Sequence, residues 1–220
     1  MEERTTVKFS PGLRATAQVF SYLLHPLFIP VLITLIAVTA LPEYFVYFKQ
    51  ISLRFPYDAL FFRVIVTCLL FPLLVVVLAR LLKFVDSIQL SGQRDRIIPY
   101  VGTIIFYFWA FYTFKRQGLS PGFFNAFFLG IFISVVVSFV ANSFVKISMH
   151  TVGWGGVLGF LLALMWGMGM NVSIPLGLAF ILAGIAATAR LVLDAHSSGE
   201  IYAGFIVGIL SQLIAYWIVG

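Results

Sequence analysis

Phe123 to Val145 reads FFNAFFLGIFISVVVSFVANSFV, a block of 23 residues without one charged side chain. At 1.5 Å per residue a helix of that length reaches about 34 Å, enough to cross the roughly 30 Å hydrocarbon slab of a bilayer. Outward from it lie comparable apolar blocks at Tyr22–Leu41, Leu60–Leu82, Pro99–Phe114, Val152–Met170, Ile174–Ala189 and Ile201–Val219. The 220-residue chain is 61% hydrophobic and 10% charged, with a mean hydropathy of +1.06. A soluble domain carries roughly a quarter charged residues, so that class is excluded, as are disordered and collagen-like chains. The expected fold is therefore all-α: a polytopic membrane helix bundle of about six to seven transmembrane helices, one integral domain over residues 1–220. Seven spans of about twenty residues leave no room for a separate soluble domain. Residues 1–21, with Glu2, Glu3, Arg4, Lys8 and Arg14, read as a polar tail. Val38-Thr39-Ala40 faintly resembles a signal-peptidase site, but His25, Pro26 and Pro30 interrupt the block before it, and the span is read as retained.

The single cysteine, Cys68, supplies neither a disulfide framework nor a thiolate zinc site. A net charge of +6 in such a chain is attributed to topology and contact with anionic lipid. No Lys/Arg run is dense enough to argue for nucleic acid, so none is expected as a partner. Because each span reverses the chain, the N-terminal tail and the connectors after the second, fourth and sixth spans share one face. That face holds nine of the basic residues, Arg4, Lys8, Arg14, Arg80, Lys83, Arg94, Arg96, Lys146 and Arg190. The other holds five, Lys49, Arg54, Arg63, Lys115 and Arg116. Four of the nine are also site candidates, and without them the two faces are equal.

Three connectors on the first face carry residues that a lipid-embedded chain rarely keeps without a use. They are Gln93-Arg94-Asp95-Arg96-Ile97-Ile98-Pro99, Lys146-Ile147-Ser148-Met149-His150, and Arg190 through Glu200, which includes Asp194 and His196. Together they offer up to four cations, the Ser148 hydroxyl, two imidazoles and, one helical turn beyond the second imidazole, the Glu200 carboxylate. Arginine's planar fork pairs with phosphate oxygens and lysine adds a point charge, so the set suits a phosphate. His196 and Glu200 are four apart, one turn on one helix face if the last helix begins near Ser197. A carboxylate there would take the proton on one ring nitrogen and leave the other free to attack phosphorus. His150 would protonate the leaving oxygen. Arg94, Arg96, Lys146 and Arg190, with Ser148, would bind the phosphoryl oxygens. Neither metal nor other cofactor is called for.

At these residues the chain resembles the type-2 phosphatidic acid phosphatase superfamily, membrane relatives of the vanadium haloperoxidases. That family's motifs read K-x6-R-P, P-S-G-H and S-R-x5-H-x3-D. The third is matched by Ala189-Arg190, His196 and Glu200, with Ala in place of Ser and Glu in place of Asp. Ile147-Ser148-Met149-His150 keeps the serine and histidine of the second. In the first, Pro99 follows Ile98 rather than arginine and Ser91 stands where the lysine belongs, so Arg94 and Arg96 substitute. The resemblance covers about residues 93–208. It implies a lipid phosphatase working through a phosphohistidine on a lipid phosphomonoester or polyprenyl pyrophosphate, with His196 as nucleophile, Glu200 as its partner and His150 as acid. The implied location is the membrane, with a bacterial inner membrane as the expected one.

Other readings stand beside this one. The same cup could bind or move a lipid phosphate without turnover, or hand its phosphoryl group to an alcohol. Asp194 with His150 and His196 could ligate a transition metal. Ser197 and Glu200 form an S-x-x-E capping box, which would occupy the carboxylate with backbone amides. Arg80 and Lys83 read as interfacial anchors, and His25 as a packed or kink-associated histidine. Gly155-x-x-x-Gly159 and Gly204-x-x-x-Gly208 read as helix-packing faces. Trp109, Trp154 and Trp217 read as interfacial anchors, and the 24 phenylalanines as lipid-facing bulk.

Overall fold

The computed structural model describes residues 9–48, 58–85, 92–118 and 120–220. Glu2, Glu3, Arg4, Lys8, Lys49, Arg54 and Ser91 lie outside the described residues. Among those described there is helix and no strand. The elements are α1 (Pro11–Leu23), α2 (Ile29–Ala40), α3 (Pro42–Phe45), α4 (Asp58–Val64), α5 (Phe71–Leu81), α6 (Ile97–Gln117), α7 (Gly122–Asn142), α8 (Met149–Met168), α9 (Ser173–Val192) and α10 (Ser198–Val219). Among the described residues seven helical stretches are long and apolar enough to cross a membrane: Pro11–Ala40, Ala59–Leu81, Arg94–Gln117, α7, α8, α9 and α10. The chain is thus a membrane-type all-α bundle.

The polar tail expected over residues 1–21 gives way, from Pro11 on, to α1. Ser10 accepts from the Leu13 amide as N-cap, and Pro11 supplies a fixed φ at the helix start. Ala17 and Ser21 are its buried residues, and α1 packs on α9 with Ala17 against Ala189 and Val192. The expected kink at His25 is a full break. Pro26 lacks an amide hydrogen, and one 3-10 turn, Pro26–Phe28, joins α1 to α2.

A second irregularity lies in the next span. Between α4 and α5 the turns at Ile65–Leu70 are wide, with the Phe71 amide reaching Val66 O. Pro72 follows, and its ring would crowd the carbonyl of Cys68 in a regular helix, so the wider turn relieves that clash.

Helices α8 and α10 form the tightest pair, and the two glycine motifs face each other there. A Cβ on Gly155 would lie 2.6 Å from Phe205 O, and one on Gly159 2.6 Å from Ile209 O. The phenylalanines differ from expectation: Phe45, Phe114, Phe124, Phe127 and Phe128 are fully buried rather than lipid-facing. Their rings interlock, with Phe114–Phe128 centroids 4.8 Å apart and Phe124–Phe128 5.1 Å apart, both edge-on. Trp154 also differs, being 2% exposed, whereas Trp217 is 87% exposed.

Helix α9 ends in a Schellman turn that aims the chain back over the bundle. Asp194 N bonds to Leu191 O at 2.9 Å and Ala195 N to Arg190 O at 3.0 Å, with Asp194 in the left-handed region at φ 54°. Asp194→Val is expected to cost about 1–2 kcal/mol, because a β-branched residue resists that conformation, while Asp194→Gly retains the wild-type melting temperature or exceeds it. Thermal unfolding in detergent checks this, and equal melting of the two variants would contradict the assigned strain.

Candidate functional site

Three chain segments converge around His196. The Schellman turn delivers it from the end of α9, and Ser197 then starts α10 as N-cap. Glu200, three residues on, closes the capping box: Glu200 N bonds to Ser197 Oγ and Ser197 N to Glu200 Oε2, each at 3.4 Å. The same Oε2 lies 2.7 Å from His196 Nδ1. A carboxylate only accepts, so Nδ1 carries the hydrogen and Nε2 keeps its lone pair. The two roles weighed for Glu200 are therefore filled together by one oxygen.

Basic side chains tie the segments to one another. Arg96 Nη1 donates to Ile147 O at 3.2 Å, Lys146 Nζ to Ala195 O at 2.9 Å, and Ser148 N to Glu200 O at 3.4 Å. Arg190, in the last turn of α9, donates through Nη1 to Ser21 Oγ at 2.8 Å, while its buried Nε bonds to nothing among the described residues. Ser148 Oγ, fully buried at the N-cap of α8, likewise has no partner there. Such orphaned polar atoms call for an explanation, and for Arg190, which lines the cavity, a bound anion would offer one; nothing in the structure explains Ser148 Oγ. His150 is 9% exposed, with Nε2 2.9 Å from Ser21 O and 3.3 Å from Ser21 Oγ.

Arg96, His150, Arg190 and His196 line one cavity of about 1040 Å³, together with Ser21 and His25. Arg94 is exposed and does not line it, which distinguishes the two arginines left open by sequence. Lys146, Ser148 and Glu200 do not line it either; Glu200 is bonded to the lining His196, Ser148 N to Glu200 O, and Lys146 to the carbonyl of Ala195 next to His196. Away from the charges the walls are largely apolar, among them Leu69, Leu73, Phe127, Ile131 and Val135. From Arg96, just before α6, the lining runs along that helix through Pro99, Tyr100 and Thr103 to Tyr107, about 16 Å at helical rise, near half the slab. The wide turn between α4 and α5 contributes Leu69 and Leu70 to this wall.

Sequence reasoning missed Ser21 and placed His25 outside the site. His25 Nδ1 accepts from Leu27 N at 3.3 Å, and its ring stands edge-on to His150 with centroids 5.2 Å apart. The available signal was Pro26 inside an apolar block. Asp194 is exposed, and among the described residues no three His, Cys, Asp or Glu side chains gather as a metal-ligand set.

His196 is pushed down to about 4 by burial, opposed by its bond to Glu200 and assisted by the positive charges of Arg190, Lys146 and Arg96. The neutral ring therefore persists well below pH 6.5. If its Nε2 is the nucleophile, the acid limb of kcat/KM falls near pH 4: lowering the pH through that value protonates Nε2 and removes the lone pair. A limb centred near pH 6.5 in a rate profile would count against it. Comparison with family models, curated proteins and solved structures returned no match.

Proposed function

We propose that this chain is an integral membrane phosphatase that hydrolyses a lipid phosphomonoester or pyrophosphate through a phosphohistidine at His196. One observation carries the reading: a buried imidazole with its Nδ1 hydrogen held by a carboxylate at 2.7 Å faces a cavity shared with two arginines, and that cavity continues between apolar walls. An amphiphile with a phosphate at one end matches both parts. The resemblance at Arg190, His196, Glu200, Ser148 and His150 points the same way.

In the first step His196 Nε2 attacks phosphorus and a nitrogen–phosphorus bond forms. The bond from phosphorus to the lipid oxygen breaks, and His150 transfers a proton to that oxygen. In the second step water attacks phosphorus, its proton passes to His150, and the nitrogen–phosphorus bond breaks to release phosphate and the free ring. Arg96 and Arg190 offset charge on the phosphoryl oxygens, with Lys146 behind them. Ser148 N, bonded to Glu200 O, keeps the start of α8 beside the nucleophile's partner. A bacterial inner membrane is the location proposed with this activity.

The test is phosphate release from detergent-solubilised protein on a panel of phosphatidic acid, phosphatidylglycerol phosphate, polyprenyl pyrophosphate and lipid A, with and without chelator. Release that persists in chelator is expected. A wild-type protein that binds these lipids and releases nothing would overturn the phosphatase reading in favour of a binder.

A further inference from the structure

Helix α1 would run straight into α2 were it not for Pro26, and the break has a backbone consequence. In a continuous helix the His25 amide would bond to Ser21 O and the Phe28 amide to Leu24 O. Instead His25 N bonds to Tyr22 O at 3.3 Å and Phe28 N to His25 O at 3.0 Å, so the carbonyls of Ser21 and Leu24 are released. A carbonyl freed inside an apolar span needs another donor. Helix α8 supplies two, one turn apart: His150 Nε2 lies 2.9 Å from Ser21 O, and Trp154 Nε1 lies 3.1 Å from Leu24 O. Trp154 is therefore buried because it completes this dock.

Two properties of Ser21 matter for chemistry. Its carbonyl can only accept, so the hydrogen on the neutral His150 ring sits on Nε2. That leaves Nδ1, which has no hydrogen-bond partner among the described residues, as the nitrogen able to act in the cavity that His150 lines. Its hydroxyl accepts from Arg190 Nη1 at 2.8 Å and so anchors one cation of the cavity wall. One residue, outside all three motif segments, thus touches both the expected acid and a phosphate-binding arginine.

We propose that Ser21 is a positioning residue of the phosphoryl-transfer site: its main-chain carbonyl fixes His150 as the Nε2–H tautomer, and its hydroxyl holds Arg190. The consequence for turnover rests on the lipid phosphatase reading; the tautomer does not. The resting ring is neutral, so His150 first takes a proton at Nδ1 from the bound phosphate monoanion; as the imidazolium it keeps Nε2–H on Ser21 O while the Nδ1 proton passes to the leaving oxygen. Neutral His150 remains, and the proton released by the attacking water returns to Nδ1 and departs with the product phosphate.

The full chain contains three histidines, so ring-nitrogen NMR of histidine-labelled protein in micelles can be assigned with His25→Gln and His196→Gln. The wild type is expected to show His150 protonated on Nε2 and bare on Nδ1 near neutral pH. The opposite tautomer, or averaging between the two, overturns the proposal. Pro26→Ala lets His25 N return to Ser21 O and should destroy that single tautomer; its persistence in a folded variant also overturns it. If Pro26→Ala does not fold, the wild-type spectrum decides. On an active lipid phosphate, Ser21→Ala should lower kcat about tenfold or more with little change in KM, and Ser21→Thr should restore it. An unchanged kcat in Ser21→Ala removes the hydroxyl's role. A wild type inert on every lipid defeats the phosphatase reading alone, and the tautomer then decides the positioning claim by itself.

Discussion

His196→Ala is expected to eliminate phosphate release, by on the order of 10⁴-fold or more, because it removes the atom that bonds to phosphorus in the proposed mechanism. Lipid binding should survive, since Arg96 and Arg190 still line the cavity and the α10 capping box does not need the imidazole. Glu200→Gln separates positioning from nucleophilicity. The amide oxygen can still accept from Nδ1, but without the charge that stabilises the ring as it becomes positive, so a smaller loss of about 10²- to 10³-fold is expected. Glu200→Asp withdraws the carboxylate by one methylene from a 2.7 Å bond, and a shift near 1 Å costs about 10²-fold. Rates measured beside a binding assay on the same lipid check all three. A His196→Ala protein that still releases phosphate at the wild-type rate sinks the assignment.

Gly208→Val should prevent folding or lower stability by about 3 kcal/mol or more, at the upper end of what overpacking costs. A Cβ there would collide with Val152 O, lie 2.5 Å from Gly156 N and 2.8 Å from Gly155 C, all main-chain atoms of α8 that cannot rotate away. The same interface sets the site. Gly204 sits against Thr151 and Ser148 O, so the start of α10, with Glu200, rests on the start of α8, with Ser148 and His150. Gly208→Ala is the gentler form and should separate α8 from α10 enough to weaken the Ser148–Glu200 main-chain bond. Thermal unfolding in detergent and the fraction of monodisperse protein give the readout. A Gly208→Ala protein that melts with the wild type would show that the helices do not approach as closely as described.

Hydropathy made the seven spans legible because burial in lipid is a per-residue property that sums along a helix. The Arg190, His196 and Glu200 spacing was legible for a different reason: a Schellman turn followed by a capped helix leaves little freedom between those three positions. What stayed hidden depended on partners. Phe124 and Phe128 look lipid-facing by composition, and only the approach of α3, through Phe45, and of α6, through Phe114, shows them as core. Trp154 resembles an interfacial anchor until the acceptor for its ring nitrogen is seen. Ser21 was hidden most completely, because its part in the site comes mainly from a carbonyl released by a proline five residues later, and backbone acceptors leave no mark in side-chain patterns. α1 was read as tail because Arg14 and Gln18 dilute its hydropathy, although Ser10 and Pro11 carry a start signal.

A single oxygen of Glu200 serves both the amide at the head of the last helix and the imidazole beside it. Under the proposed mechanism, unwinding of that first turn and loss of the reactive ring form become the same event. A molecule damaged there would fall silent instead of cleaving whatever phosphate ester drifted past, and on that mechanism structural integrity would act as its own safeguard against stray hydrolysis.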